Sequence, residues 1–308
     1  AYADALPKTW KILLTSREKM DDRFKEQTLG MISFEEAKKL FAQYYTKAPF
    51  TDKTLKALCE EIGYHTLTLE LLAKTLQESF ELETIADLIE YLQTNRLADE
   101  ALQEKINTNH HSKEEVEIYT HLIQAFTLAT LSDEEKWLLL QFAVMPPIPH
   151  DAKVFLQWIQ IENTKLYADA LKTLHKKGWL SRKGDAFYIH RMIQTLIRYQ
   201  VPPTYENCQG LVDTFIELLY IDETKDNPVD KFHWLEYSIN LCNCIDEEAL
   251  SIGELHYRIS WVQRVQGNFH EAIKHSKKGE VIFESNKKER LDSLSNLALI
   301  YRELGKYK

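Results

Sequence analysis

The spacing of hydrophobic residues predicts a mainly α-helical chain. Ser33-Phe-Glu-Glu36 has the pattern of a capping box, and apolar residues follow it at three- and four-residue intervals, as on one face of a helix. Similar patterns predict helices over residues 51–62, 66–77 and 84–93. Four short helices joined by short links predict a helical bundle over residues 31–105.

A different pattern stands near the start of the chain. Residues Ile12–Leu14 are successive and apolar, and polar Thr15-Ser-Arg17 follows them. A short apolar run without alternation is typical of a strand that is buried on both faces of a parallel sheet. Because one such strand is not stable alone, we expect the rest of its sheet to lie upstream of residue 1.

Residues 112–202 have the pattern of a winged-helix module. Met145-Pro-Pro-Ile-Pro149 interrupts the helices, since it can form neither a helix nor a central strand. A turn over residues 182–185 joins two short strands into a hairpin. The predicted elements are, in order, helices over residues 113–130, 132–144, 151–160 and 166–177, strands over Trp179–Ser181 and Ala186–Ile189, and a helix over residues 191–200.

Helical patterns continue over residues 203–308, and they contain a repeat. Gly267-Asn-Phe269 recurs 38 residues later as Gly305-Lys-Tyr307, and Ile259 then aligns with Leu297. A small residue followed by an aromatic one is typical of the turn in a tetratricopeptide-type repeat, whose usual period is about 34 residues. We therefore predict helical repeats of this type, and we expect both ends of the chain to be cuts through larger units.

Composition and charge exclude several classes of protein. The chain has 308 residues, of which 44% are hydrophobic and 28% charged, so two to three globular domains are expected. The net charge of -9 argues against nucleic acid as the partner. No apolar run has the length of a membrane span. Four irregularly spaced cysteines do not form a disulfide framework, which favours a reducing, cytoplasmic setting.

The nine glycines exclude a phosphate-binding loop within this chain. No two of them have the spacing of a P-loop followed by lysine, or of a dinucleotide-binding fingerprint. The closest pair, Gly178 and Gly184, is followed by Asp185. The chain alone should therefore not hydrolyse ATP.

Two residues stand where a ligand-binding group is expected. Arg17 follows the predicted buried strand, at the end where parallel sheets place such groups, although an ion pair with Glu18 or Asp21 also explains it. His190 lies between the second hairpin strand and a helix, where it can donate a hydrogen bond to an anion or pack at the corner.

Other candidates have structural explanations. Gly63 suits the end of a helix and Thr66 the N-cap of the next one, which leaves His65 as a surface or packing residue. Cys242 and Cys244 lack the spacing and the second pair of a zinc site, and we predict that they are buried in a helix. No catalytic constellation and no metal site is predicted.

Taken in order, four segments resemble the NB-ARC (STAND-class) signalling ATPases. Lys11–Arg17 resembles the strand that ends in the sensor-1 arginine, and Leu29–Phe41 resembles the segment that opens the helical bundle. Ile62–Glu70 is similar to the Gly-x-x-Pro-Leu-Ala-Leu motif, with Thr66 in place of proline. Tyr188–Arg191 stands where the winged helix carries its Met-His-Asp-like motif, and the helical repeats match the appended sensor region.

The resemblance implies a division of the chain and roles for three residues. Residues 1–30 would be the remnant of a nucleotide-binding α/β domain, with its Walker A and Walker B segments upstream. Arg17 would be the sensor of the terminal phosphate, His190 the contact to the β-phosphate of ADP, and Thr66 the residue of the adenine-side loop. The intact parent would be an ATPase that binds ADP or ATP with Mg²⁺, and this chain would bind nucleotide weakly at best.

These observations predict a fragment of a nucleotide-gated switch that senses a protein or peptide through its repeats. Exchange of ADP for ATP would open the intact parent and allow it to form a homo-oligomer. Two alternatives stay open. One is a transcriptional regulator that grips DNA with Lys172, His175, Lys176 and Lys177 on its recognition helix and with Arg182 and Lys183 on the wing. The other is an adaptor in which nucleotide takes no part.

Overall fold

The computed structural model of the chain describes residues 32–79, 82–94, 121–125, 127, 130–222, 224–284 and 287–305. It is mainly helical, as the hydrophobic pattern predicts, with one small sheet. The predicted strand over Ile12–Leu14 and the sensor candidate Arg17 lie outside the described residues.

Four helices form the first unit. Ser33 begins it with a capping box, in which the Ser33 N–H donates to Glu36 Oε2 (2.8 Å) and the Glu36 N–H donates to Ser33 Oγ (3.4 Å). Residues from every helix share one apolar core around the fully buried Phe41. The helices are α1 (Phe34–Tyr44), α2 (Asp52–Glu61), α3 (Thr66–Glu78) and α4 (Ile85–Thr94).

The second unit interleaves helices with a three-stranded antiparallel sheet in the order β1-β3-β2. His150 of β1 and Arg182 of β2 both pair with Phe187 of β3. β1 has two residues, too few to leave a periodic signal in the sequence. The elements are α5 (Asp133–Ala143), β1 (His150–Asp151), α6 (Ala152–Trp158), α7 (Thr164–Lys176), β2 (Ser181–Lys183), β3 (Ala186–Tyr188) and α8 (Arg191–Gln200).

The predicted position of the first hairpin strand was wrong. The expected strand over Trp179–Ser181 is instead β2 at Ser181–Lys183. The chain turns at Gly184, whose φ of +62° suits glycine, so Arg182 and Lys183 pair with β3 rather than forming the turn. Trp179 is fully buried in the core before the hairpin starts.

Helices make up the rest of the described chain. Gly267 takes a φ of +83° between two antiparallel helices, and Phe269 opens the second, as the repeat pattern predicts. The elements are α9 (Tyr205–Leu219), a 3-10 helix (Pro228–Trp234), α10 (Leu235–Cys244), α11 (Leu250–Val265), α12 (Phe269–Ile282) and α13 (Lys287–Glu303).

One hydrophobic core runs from the second unit into helices α9 to α11. Trp158 of α6 lies at the centre of this contact, with ring centroids 5.7 Å from Phe215, 5.6 Å from Trp234 and 5.6 Å from Tyr237. The contacts with Trp234 and Tyr237 are edge-to-face, an arrangement that adds to the free energy of apolar burial. The second unit and the helices that follow it are therefore packed as one body.

Side chains of α8 and α10 bond the carbonyl groups at the end of α5. Gln194 donates to Met145 O (2.7 Å), Arg198 to Ala143 O (3.1 Å) and Asn240 to Val144 O (2.7 Å). These carbonyls have no partner within α5 itself, since a helix leaves its last four unsatisfied. The three bonds fix α8 and α10 against the same helix end.

Candidate functional site

A histidine caps the N-terminus of α3, and another caps that of α8. His65 Nδ1 accepts a hydrogen bond from the Thr68 N–H (3.4 Å), and His190 Nδ1 accepts one from the Met192 N–H (3.3 Å). Burial lowers the pKa of His65, and the neighbouring His190 lowers it further, so the two rings interact electrostatically. We call this place the histidine junction, defined by His65 and His190.

The turn before α3 positions His65. The Tyr64 N–H donates to Cys59 O (2.8 Å) and the Gly63 N–H to Glu60 O (3.4 Å), which is the pattern of a Schellman motif at the end of α2. Gly63 and Tyr64 have φ values of +59° and +57°, and a Cβ on Gly63 would meet no atom within 4 Å. Glycine is therefore favoured at position 63 by its positive φ and not by lack of space. The turn at this residue reverses the chain, so that α3 starts beside the second unit.

The predicted N-cap of α3 was off by one residue. Thr66 was expected to cap the helix, but it is the first helical residue and its side chain is exposed. His65 is the cap because its backbone is extended (φ -74°, ψ 118°) and its ring reaches the Thr68 N–H. Sequence reasoning therefore missed His65 as a site residue. Its position immediately before the first helical residue was the signal that could have identified it as the N-cap.

The hydrogen bonds at the junction define which ring nitrogen carries the proton. When Nδ1 accepts from a backbone N–H, Nε2 bears the hydrogen of the neutral imidazole. For His65 the lowered pKa favours that neutral form at pH 7, because burial and the neighbouring His190 both disfavour a positive charge. Each histidine thus has its ring oriented by its own helix.

Contacts between α3 and the second unit hold the junction together. Leu71 of α3 is fully buried in the core of the second unit. Lys176 of α7 forms an ion pair with Glu78 at the end of α3 (3.1 Å). Gly178 has a φ of +87°, and a Cβ there would lie 2.6 Å from Lys74 Cδ, so a glycine allows the close approach.

Two helix N-termini and two imidazoles form an environment that suits an anion. Helix N-termini offer unpaired N–H groups and a partial positive charge, and imidazole Nε2–H groups donate hydrogen bonds to phosphate oxygens. Within the described ranges, no cluster of three or more His, Cys, Asp or Glu residues could hold a metal ion.

The cations proposed for DNA contact mostly have partners within the protein. Lys172 pairs with Asp169 (2.9 Å) and Arg182 with Asp185 (3.3 Å). Lys177 lies 2.8 Å from the nearly buried Glu135. His175 Nδ1 is 3.0 Å from Leu180 O, and Lys176 bonds the first unit as described above.

The cysteines have structural roles. Burial raises the pKa of the Cys59 thiol to about 11 and that of Cys208 to about 12, and it raises that of Cys242 further. Thiols with raised pKa values are poor nucleophiles and poor metal ligands. Cys242 is buried in α10, as predicted, while Cys244 at the end of that helix is half-buried.

Among the described helices, none is long and apolar enough to cross a membrane. Of the three residues that the resemblance singles out, His190 lies at the junction and Thr66 one residue from it, while Arg17 falls outside the described ranges. In comparisons with known proteins, the sequence matches no family model and no curated protein.

Proposed function

We propose that this chain is part of a nucleotide-gated signalling switch of the NB-ARC (STAND) class, with the histidine junction facing the bound diphosphate. The observation that carries the proposal is the electrostatic interaction between His65 and His190, which each cap a helix N-terminus. These residues belong to two distant segments that resemble the adenine-side and phosphate-side motifs of one nucleotide site. Their electrostatic interaction supports a shared ligand.

The helix order supports the domain assignments within the proposal. Helix, strand, two helices and a hairpin, followed by α8, is the order of a winged-helix module over residues 112–202. The antiparallel pair α11 and α12, with Gly267 at its turn, supports tetratricopeptide-like repeats over residues 203–308. The four free cysteines support a reducing, cytoplasmic location.

In the proposed resting state His190 donates its ring N–H to the β-phosphate, and the N-termini of α3 and α8 stabilise the negative charge. His65 stays neutral or takes up a proton according to the charge of the ligand. ADP or ATP with Mg²⁺ would be held mainly by the intact parent, which supplies hydrolysis. Release of the phosphate contact would free the first unit from the second and permit assembly.

The test is an NMR titration of the imidazole signals of this chain with ADP and with inorganic pyrophosphate. We expect both ligands to shift the His65 and His190 signals at high ligand concentration, since binding to this chain alone is weak. His190→Ala should abolish the shift at His65, whereas His270→Ala, an exposed histidine on α12, should not.

The same variants are then compared in the longest polypeptide that the gene encodes. We expect His190→Ala to weaken ADP binding there. Unchanged ADP affinity, together with unshifted imidazole signals in this chain, would overturn the proposal. It would favour the adaptor alternative, in which nucleotide takes no part.

The DNA-binding alternative rests on one further observation. A surface cavity of about 310 Å³ lies between α6, α7 and the hairpin, and Lys153, Lys172 and Arg182 line it. Asp151 and Asp185 line it as well, which weakens its attraction for phosphate. A mobility-shift assay with duplex DNA at low salt discriminates: retardation that Lys153→Ala and Arg182→Ala remove would favour this function over nucleotide gating.

A further inference from the structure

A groove lined by side-chain amides lies between the 3-10 helix, α10 and the turn from α11 to α12. Its cavity volume is about 430 Å³, within the range of ligand sites. Its polar lining consists of five amides and one carboxylate: Asn240, Asn243, Gln263, Gln266, Asn268 and Glu236. The remaining lining is apolar. We call this place the amide groove, defined by these six residues.

The amide groove contains a buried acceptor without a donor. Gln263 is 2% exposed, and its Oε1 accepts no hydrogen bond from the described part of the chain. Leaving a buried polar atom unpaired is energetically costly, and such atoms are rare in native proteins. Because Gln263 also lines the groove, a ligand N–H or O–H in the groove can supply the missing donor.

Asn240 adds a second acceptor to the groove. Its amide Nδ2 donates to Val144 O at 2.7 Å, which fixes the orientation of the side-chain amide. The carbonyl Oδ1 of Asn240 is then available to accept a hydrogen bond from a ligand. Two amide carbonyls, on α10 and α11, thus border one groove and suit a ligand with spaced N–H donors.

The lining of α10 forms two parallel rows. Glu236, Asn240 and Asn243 follow each other at intervals of four and three residues, so they share one face of the helix. Leu235 and Ile239 form an apolar row beside them. The polar row is about 10 Å long at the helical rise of about 1.5 Å per residue.

An extended peptide matches this arrangement. At about 3.3 Å per residue, three residues cover the polar row, and successive side chains point to opposite sides of the main chain. Main-chain N–H and C=O groups can then bond the amides, while one side chain contacts the apolar row. Glu236, which is exposed at one end, favours a lysine or arginine on the peptide by charge complementarity.

We propose that the amide groove binds an extended peptide segment of about three residues that carries a basic side chain beside Glu236. Its main-chain N–H groups donate to Gln263 Oε1 and Asn240 Oδ1. The proposal deepens the sensing role given to the repeats and rests on that role, but it does not depend on nucleotide at the histidine junction.

The test is selection from a library of displayed peptides on this chain, without nucleotide, followed by fluorescence polarisation with the enriched peptides. We expect enrichment of lysine or arginine at one position. Gln263→Met should weaken binding by about tenfold or more, because it removes the buried acceptor while keeping the side-chain volume. Glu236→Gln should weaken binding and reduce its salt dependence.

Gln209→Met is the matched control, since Gln209 is exposed on α9, outside the groove, and binding should not change. Thermal unfolding separates binding from folding: Gln263→Met should keep or raise the Tm, because the unpaired oxygen is removed. Enriched peptides that bind both groove variants like the unmodified chain would overturn the proposal. So would failure to enrich any peptide over a selection on Gln263→Met.

Two further results separate this proposal from others. Shifts of the Gln263 side-chain amide signal by maltotriose, with none by any selected peptide, would overturn it in favour of a saccharide site. Peptide binding with no effect of ADP at the histidine junction would support the amide groove while contradicting nucleotide gating. An effect of ADP at the histidine junction without any peptide binding would contradict the amide groove and leave nucleotide gating supported.

Discussion

His256 of α11 and His275 of α12 share a hydrogen bond between their Nδ1 atoms, 2.8 Å apart in the buried space between the two helices. One ring donates this hydrogen bond and the other accepts it. Burial lowers the pKa of His256 to about 3 and that of His275 to about 4, and the Lys278 cation contributes to both. The hairpin of α11 and α12 therefore contains a proton-sensitive contact.

The first prediction concerns stability against pH. Both folded pKa values lie below the unfolded value of about 6.5, so the unfolded state binds more protons and stability falls as the pH drops below that value. The slope should approach about 1.4 kcal/mol per pH unit for each histidine. The buried His150, whose pKa is also lowered by burial, adds to it.

Denaturant unfolding between about pH 7 and pH 5 measures this slope, in a window above most carboxylate titration. His275→Asn, which keeps a hydrogen-bonding side chain but does not titrate, should make the slope shallower. A free energy of unfolding that stays constant over this window would contradict the prediction.

The second prediction concerns Lys177 and Glu135, which join the end of α7 to the start of α5. Their side chains are 20% and 10% exposed, and the shortest distance is 2.8 Å. Lys177→Met should lower the free energy of unfolding by about 2 kcal/mol, because a nearly buried carboxylate loses its cation. Lys172→Met breaks the exposed pair with Asp169 and should change it by less than about 0.5 kcal/mol. Equal losses of unfolding free energy in the two variants would contradict the prediction, because the burial of Glu135 would then make no difference to stability.

The third prediction concerns protons taken up with nucleotide. His65 has a lowered pKa in the free protein, and a bound phosphate would raise it by favouring the charged form. ADP should therefore bind more tightly as the pH falls from about 7.5 to about 6, with net proton uptake. Calorimetry in two buffers of different ionisation enthalpy measures the uptake, and His65→Gln should remove it. Uptake that persists in that variant would assign the proton to another group.

The fourth prediction concerns the contact of α9 with the end of α6. A Cβ on Gly210 would lie 2.5 Å from Ile159 O and 2.7 Å from Ile159 C, and backbone atoms cannot rotate away. Gly210→Ala should destabilise the protein by about 2 kcal/mol, although alanine is the better helix former by about 1 kcal/mol. Gln209→Ala, exposed on the same helix, should change stability by less than about 0.5 kcal/mol. A stabilised Gly210→Ala would contradict the close approach.

Local signals in the sequence predicted local structure. The capping box at Ser33 and the glycines at 63 and 267 set helix ends, because each acts within a few residues of itself. The electrostatic interaction of His65 with His190 could not be predicted from such local signals, since α3 packs on the second unit through Leu71, and that contact joins segments far apart in sequence. The amide groove could not be predicted from the sequence for a related reason. Gln263 is polar, and only the packed structure shows that it is buried.

Helix α8 carries His190 at its N-terminus and Arg198 near its other end. Its ten residues span about 15 Å. Arg198 contacts both Ala143 O and Cys244 Sγ, while Asn240 holds the same end of α5. Because Arg198 and Asn240 bond neighbouring carbonyls at one helix end, removing either side chain would leave a carbonyl there without its donor.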